Sequence, residues 1–367
     1  TPGDATVFLT SDVTGDRILP GDKGIYTLDS GSSYTAVVTC YGYAGQKKTF
    51  TAGEANKTVQ IKLEKAPDST LKDIELPTDW PLFRKNDENN GVVDVRTPIT
   101  AEDTVLVWAN KLGEGYSGSA VGSPIIVGGC LYTYSGTTIM KVDKETGLIL
   151  KTGTMVGGSS FAINSATYAE GMIFIGLANG RVQAFNAETL ESLWVYQDAL
   201  GGQPNCPIAY ADGYIYTGFW NSETKQANFA CLSVTDEDAT KTNEAKLPTW
   251  TYTHNGFYWA GAYVNSDFVL VTTDDGEGGY TTGYSSILSL NPKTGKLIDS
   301  LQATNVGDLR SSVCYDEETE AYYFTSKGGD LYQVKVNADG TFTKGSLRRL
   351  HLDNGADSAS APPMSTS

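Results

Sequence analysis

One pattern of about 42 residues, written twice between positions 123 and 194, constrains this chain more than any other feature. In its first copy Ser123-Pro124-Ile125-Ile126-Val127-Gly128-Gly129 leads through Leu131-Tyr132 and Ser135-Gly136 to Val142-Asp143 and a turn ending in Thr146-Gly147. In its second, Ala166-Thr167-Tyr168-Ala169-Glu170-Gly171 leads through Ile173-Phe174-Ile175 and Asn179-Gly180 to Phe185-Asn186 and Thr189. Each copy reads as short apolar strands separated by tight turns. Gly129, Gly171 and Gly213 succeed one another at intervals of 42, and Asp267 and Ala321 continue the series at intervals of 54. A polar insertion at 237–247 and a Gly/Asp-rich one at 274–282 account for the longer steps. A repeat of this size with four short strands is a propeller blade. One blade cannot bury both faces of its sheet, so blades must stack around an axis and share a core.

Composition agrees with an all-β, turn-rich protein: 40 of the 367 residues are Gly, 21 are Tyr and 40% are apolar. A net charge of −16 and a pI near 4.5 speak against nucleic acid and anionic membrane surfaces as partners. No apolar run approaches the length of a membrane span, so no membrane insertion is expected. Five scattered cysteines, Cys40, Cys130, Cys206, Cys231 and Cys314, argue against a disulfide framework, and Cys206–Cys231 is the one pairing to check. Two distant histidines make a Cys/His zinc site a poor expectation, and the reading is of no metal.

Residues 1–66 contain five or six alternating segments, among them Ala5-Thr6-Val7-Phe8-Leu9 and Tyr34-Thr35-Ala36-Val37-Val38. Turn-forming Gly15-Asp16, Ser30-Gly31, Gly42 and Gly45 separate them, which predicts a small β-sandwich. Residues 67–78 read as a polar linker. The order Gly24-Ile25-Tyr26, Gly31, Tyr34, Gly42-Tyr43 resembles the Ig-like or prealbumin-like modules of bacterial surface proteins.

From position 79 a second resemblance begins. Asp79-Trp80-Pro81-Leu82-Phe83-Arg84, the strand Leu106-Val107-Trp108, the Ser123-Pro124 start and the turns Asp143-Lys144-Glu145-Thr146-Gly147 and Asn291-Pro292-Lys293-Thr294-Gly295 resemble the pyrroloquinoline-quinone-like propeller repeats. The resemblance spans about residues 79–345. It implies a quinoprotein alcohol dehydrogenase-like β-propeller of about six or seven four-stranded blades over 79–367. It also implies that Trp108, Trp194 and Trp250 dock on neighbouring blades as packing residues. The end of the chain, Ser358 to Pro363, reads as the approach to a further blade, and the expectation is of a piece of a larger protein rather than a ring closed through Val105 to Lys111.

In the quinone-dependent alcohol dehydrogenases adjacent cysteines cover the cofactor, a Glu/Asn/Asp set holds calcium and an Asp acts as base. This sequence has no Cys-Cys pair and matches none of those positions, so the resemblance carries the fold without the reaction. The expectation is a non-catalytic binding or scaffolding module, extracellular or cell-surface, monomeric and without cofactor. Quinone-dependent oxidoreductase activity and an assembly-scaffold role of the propeller-lipoprotein kind are the alternatives.

The ligand, a glycan, a protein or a small molecule, is expected where segments joining successive blades gather at one end of the axis. Those segments supply Tyr116, then Phe161 and Asn164, then Gln203 and Asn205. Further on they supply His254, Phe257, Tyr258 and Trp259, then Asp308 and Arg310. Rings that bury apolar area beside amides and an arginine suit such a site. Asp274-Asp275-Gly276-Glu277 lacks the spacing of a calcium loop and reads as a solvated acidic hairpin.

Overall fold

The computed structural model describes residues 5–39, 43–44, 46–65, 79–93, 97–98, 100–101, 104–113, 120–158, 164–303, 306–352 and 363. The chain divides into two compact units, Thr1–Thr78 with Val93–Asn110 and Glu145–Gly147, and Asp79–Val92 with Lys111–Lys144 and Leu148–Ser367. Among the described residues the secondary structure is β throughout, apart from a 3-10 turn at Asp22–Gly24.

In the first unit β1 (Thr6–Ser11), β2 (Arg17–Ile18), β3 (Ser33–Thr39) and β5 (Gln46–Thr51) form one antiparallel sheet in the order β2-β1-β3-β5. The short β4 (Tyr43–Ala44) and β6 (Glu64–Lys65) pair separately. Tyr34, Ala36 and Val38 are buried at the spacing of two that a pleated strand dictates, and Leu9 opposite Ala36 joins them. Trp108 also belongs to this unit and lies flat on Gly147, where a Cβ would come within 2.6 Å of the indole.

The second unit carries five sheets among the described residues. Blade 1 is β7 (Ile125–Val127), β8 (Cys130–Ser135), β9 (Thr138–Asp143) and β10 (Ile149–Thr154). Blade 2 is β11 (Thr167–Ala169), β12 (Met172–Leu177), β13 (Arg181–Asn186) and β14 (Ser192–Gln197). Blade 3 is β15 (Ala209–Ala211), β16 (Tyr214–Gly218), β17 (Ala227–Ser233) and β19 (Trp250–His254). Blade 4 is β20 (Tyr263–Val264), β21 (Val269–Thr272), β22 (Ser286–Leu290) and β23 (Leu297–Gln302); blade 5 is β24 (Cys314–Asp316), β25 (Ala321–Thr325), β26 (Asp330–Val334) and β27 (Arg348–His351). Each is an antiparallel meander in chain order, and the first strands of successive blades touch (β7 with β11, β11 with β15, β15 with β20). The first strands therefore line the axis.

The sequence period has a local cause. Gly128-Gly129, Glu170-Gly171 and Asp212-Gly213 are each pairs of left-handed residues, the conformation that a two-residue type I′ hairpin requires between the first two strands. At the opposite edge, Asn186 and Asn291 cap their turns by accepting two backbone N–H bonds each through Oδ1. The latter turn ends at Gly295, and Trp250 of blade 3 lies on it: a Cβ there would approach the indole to 2.5 Å. Trp250 Nε1 donates to Pro292 O at 2.8 Å, and Trp194 Nε1 donates to Val234 O at 3.3 Å. Where blade 1 meets blade 2 the large and small partners are exchanged. Leu190 stands buried at the end of the turn, and Gly153 of β10 gives it room.

The polar insertion at 237–247 is not an idle loop. Its β18 (Glu244–Lys246) pairs in parallel with β14 and covers the outer edge of blade 2, an edge otherwise open to another chain. Lys246 secures it, with Nζ 2.5 Å from Glu237 and 5.1 Å above the ring of Trp194. The four described cysteines are free, so Cys206 and Cys231 do not pair; Cys206 Sγ donates instead to Ala260 O. Burial pushes both thiols up to about 12.

The lead-in at 79–92 runs along the axis, on the side of the first hairpins. Asp79 accepts from Gly128 N, Trp80 bridges Ile126 and Pro81 O accepts from Tyr168 N. Leu82, Asn86 and Asp87 line a small cavity with Ala209, Tyr210 and Val264. Glu88 O accepts from Tyr315 N, and Asn89 Nδ2 donates to both Ala262 O and Val313 O. One strap thus reaches the first strand of every described blade. Burial first, then Glu88 and Asp212, push Asp87 up to about 6. Asn89 is buried and left-handed (φ 56°), a conformation Asn tolerates better than other side chains. Asn89→Ala removes two bonds and keeps the backbone cost, so a loss of about 2–3 kcal/mol is expected in urea unfolding. Asn89→Gly should lose less, and an unchanged midpoint in both variants would contradict the strap's role.

Candidate functional site at the loop end of blades 3 to 5

Antiparallel order sends two sets of connections to the end of the axis opposite the strap. One set joins a blade's last strand to the next blade's first; the other joins the second and third strands within a blade. Between blades 3 and 5 they meet around Arg310. Its Nε and Nη2 donate to Asp274 Oδ1 and Oδ2 at 3.0 and 2.8 Å, the two-pronged geometry that a planar guanidinium offers a carboxylate. Asp308 Oδ2 lies 2.6 Å from Nη2, as an ion pair not aligned as a hydrogen bond, and Glu223 stands at 3.7 Å. The guanidinium also lies 5.0 Å from the ring centre of Tyr258, 5.5 Å from Trp220 and 5.7 Å from Tyr280, within the range of cation–π attraction. Trp220 Nε1 donates to Asp274 Oδ2 at 2.8 Å.

Asp274 is 1% exposed, so the acidic hairpin expected from the sequence to be solvated is buried at its first residue. The reason is Arg310, a charge 36 positions away that only folding brings near. Burial pushes the Asp274 carboxyl up against the downward pull of Arg310 and Trp220, and Arg310 is itself raised by Asp274 against its own burial. Three donors aimed at the two oxygens decide for the ionised pair. Asp308 is held above the carboxylate range by burial first and by Asp274 second.

Beside this cluster Trp259 occupies the left-handed region (φ 57°), a strained backbone for a bulky side chain. Its ring packs 4.5 Å from Tyr258, and its Nε1 is buried without a partner among the described residues, which costs about 1–3 kcal/mol. Lys327 Nζ lies 5.4 Å from the centre of the Trp259 ring and 5.6 Å from that of Tyr280. Burial, then Arg310, lowers the Lys327 pKa. Tyr280 is 45% exposed and is the outermost ring of the group.

The structure brings together Tyr258, Trp259, Asp308 and Arg310 of the residues the sequence nominated. It assigns others to packing. Phe257 is fully buried against Phe229 and Gly218. Asn164 is a strut, its Nδ2 donating to Pro204 O and its own O accepting from Tyr134. Gln203 pairs through its backbone with Trp220 and through Oε1 with buried Asn205. His254 stacks on Tyr252, and burial lowers its pKa. Tyr116 and Phe161 lie outside the described residues. Trp220, Glu223, Tyr280 and Lys327 lie instead in loops joining the second and third strands of a blade, which the connections between blades do not include. In a meander the second strand ends on the same face as the fourth, so the loops after Gly218, Thr272 and Thr325 belong there too.

Of the quinone and calcium implied by the family resemblance, the calcium does not fit the residues around Arg310. The carboxylates of Asp274, Asp308 and Glu223 already surround a guanidinium, which takes the place a cation would need. Among the described residues no group of three His, Cys, Asp or Glu could hold a metal. We derive no step through either group.

Comparison with known proteins agrees with the architecture. Residues 94–223 match the family described as outer membrane protein assembly factor BamB. The quinohemoprotein alcohol dehydrogenase of Comamonas testosteroni is similar in structure, with a TM-score of 0.56 at 15% identity over 74% of this chain and 49% of that one. The quinohemoprotein alcohol dehydrogenase ADHIIG of Pseudomonas putida HK5 gives 0.54 at 13% identity over 75% and 48%. The chain thus spans about half the length of these enzymes, and no curated protein matches its sequence. With its hairpin period, axis-lining first strands and docked tryptophans, the second unit is a β-propeller similar in fold to the quinohemoprotein alcohol dehydrogenases.

Proposed function

We propose that this chain is a binding or scaffolding module of a bacterial surface or secreted protein, with residues 1–66 as a separate sandwich module joined by a linker at 67–78. Its ligand seats on the loop end of blades 3 to 5. The observation that carries this reading is Trp259: a half-buried aromatic residue, held in a strained backbone conformation, with an indole N–H that no group of the described protein satisfies. Packing alone would favour the opposite on each count, since strain and orphan donors are retained where something else uses them. Trp220, Tyr258 and Tyr280 extend the aromatic surface, and Arg310 holds them in place before any ligand arrives.

Two other readings have some support. An assembly scaffold is favoured by the name of the family that residues 94–223 match. Quinone-dependent oxidation is favoured by the names of the structural neighbours, against the donor set described above.

Tryptophan fluorescence titrations with neutral glycans, acidic glycans and short peptides test the binding reading. Trp259→Gly removes the ring and accepts the left-handed backbone, so stability should change by no more than about 1 kcal/mol. Affinity for any ligand that binds should fall at least about tenfold, as expected of an aromatic anchor. A ligand that binds both proteins equally would place its site elsewhere.

A further inference from the structure

Two donors at the site have no acceptor among the described residues. Trp259 Nε1 is one. The other is Lys327 Nζ, a half-buried ammonium that makes ring contacts to Trp259 and Tyr280 and has no carboxylate within ion-pair distance among the described residues. The nearby acids are engaged by Arg310 and Gly279. Asp274 and Asp308 are buried against Arg310, and Glu223 lies beside Arg310 and accepts from Gly279 N at 3.1 Å. A half-buried cation with no carboxylate in direct contact among the described residues is favoured by an anion that enters with the ligand.

Building on the binding reading above, we infer that the site takes a sugar bearing a carboxylate, of the uronic acid class, with its ring on Tyr280 and Trp259 and its carboxylate on Lys327. The stacking surfaces suit the C–H face of a pyranose, and Glu223, 32% exposed, is placed to accept from a hydroxyl. The net charge of −16 selects against a polyanion but not against one carboxylate. At physiological salt, charges more than about 8 Å away are largely screened, while Lys327 acts in direct contact.

Glucuronate and galacturonate, the neutral sugars glucose and galactose, and acetate are the probes, read by tryptophan fluorescence and calorimetry on the full chain. The uronates should bind at least about tenfold tighter than the neutral sugars and than acetate. Lys327→Met keeps the length of the stem and removes the charge; it should abolish that preference while leaving the melting temperature within a few degrees. Equal binding of uronates and neutral sugars, or a preference that survives Lys327→Met, overturns the inference. Acetate binding as tightly as the uronates removes the ring from it. If neutral sugars bind and Trp259→Gly abolishes that binding, the binding reading stands and the carboxylate inference falls. If no probe gives a saturable change, the inference falls, and the glycan and peptide titrations on Trp259→Gly decide the broader reading.

Discussion

Arg310→Met is expected to destabilise the propeller by about 3–5 kcal/mol, the cost of leaving buried charges without their partner. Asp274 is almost wholly buried and receives two hydrogen bonds from Arg310, and Asp308 pairs with the same guanidinium. Without Arg310 the two carboxylates face each other in a region water reaches poorly, and each is held more tightly in its protonated form. Folding then takes up protons. Both folded-state pKa values lie above the unfolded ones, so stability is kept at low pH and lost as pH rises. Urea unfolding at pH 5 and pH 8 should therefore show a larger loss at pH 8 for the variant relative to the parent. A loss of equal size at both values would mean that Arg310 acts through packing on Trp220, Tyr258 and Tyr280, and the electrostatic account would be wrong. Arg310→Lys should recover part of the charge but not the two-pronged contact.

The second large effect belongs to the junction between blades 3 and 4. Trp250→Ala should cost about 3–5 kcal/mol, the range for removing a large aromatic side chain from a packed core. The indole fills the space between Tyr216, Phe229 and Gly295 and donates to Pro292 O. Gly295→Ala tests the same contact from the other side, because its Cβ would enter the ring and its backbone is left-handed (φ 66°). If the two changes disturb one junction, the double variant should lose less than the sum of the single losses. Strict additivity would show that the turn and the tryptophan contribute separately.

These cases separate what local chemistry dictates from what it leaves open. The propeller was legible because its signals are short in range. A left-handed pair at the first hairpin of blades 1 to 3, an Asn cap at the outer turns of blades 2 and 4 and strands of alternating burial all depend on neighbours a few residues away. The docking of Trp194 and Trp250 was legible for a related reason, since the repeat places the same pair of elements side by side at each junction. The exchange of Leu190 for glycine, matched by Gly153 on the facing strand, shows that the sequence also records exceptions to its own pattern.

The cluster around Arg310 was only half legible. Tyr258, Trp259, Asp308 and Arg310 could be found because they sit in connections between blades. Asp274 could not be told from a solvated acid, because its partner lies in another blade and contributes nothing to the local pattern. Phe257 and Trp259 are two residues apart and of similar chemistry, yet one is core and the other is half-buried at the site.

By itself, then, the sequence determined the class of fold, the repeat and its turns, because backbone conformation and strand alternation are decided by adjacent residues. Only the tertiary structure decided that the segment 79–92 straps the axis, that an insertion covers the edge of blade 2, and which charges are buried together. Burial and electrostatic pairing depend on distances between residues far apart in sequence, and those distances exist only once the blades have stacked around their common axis.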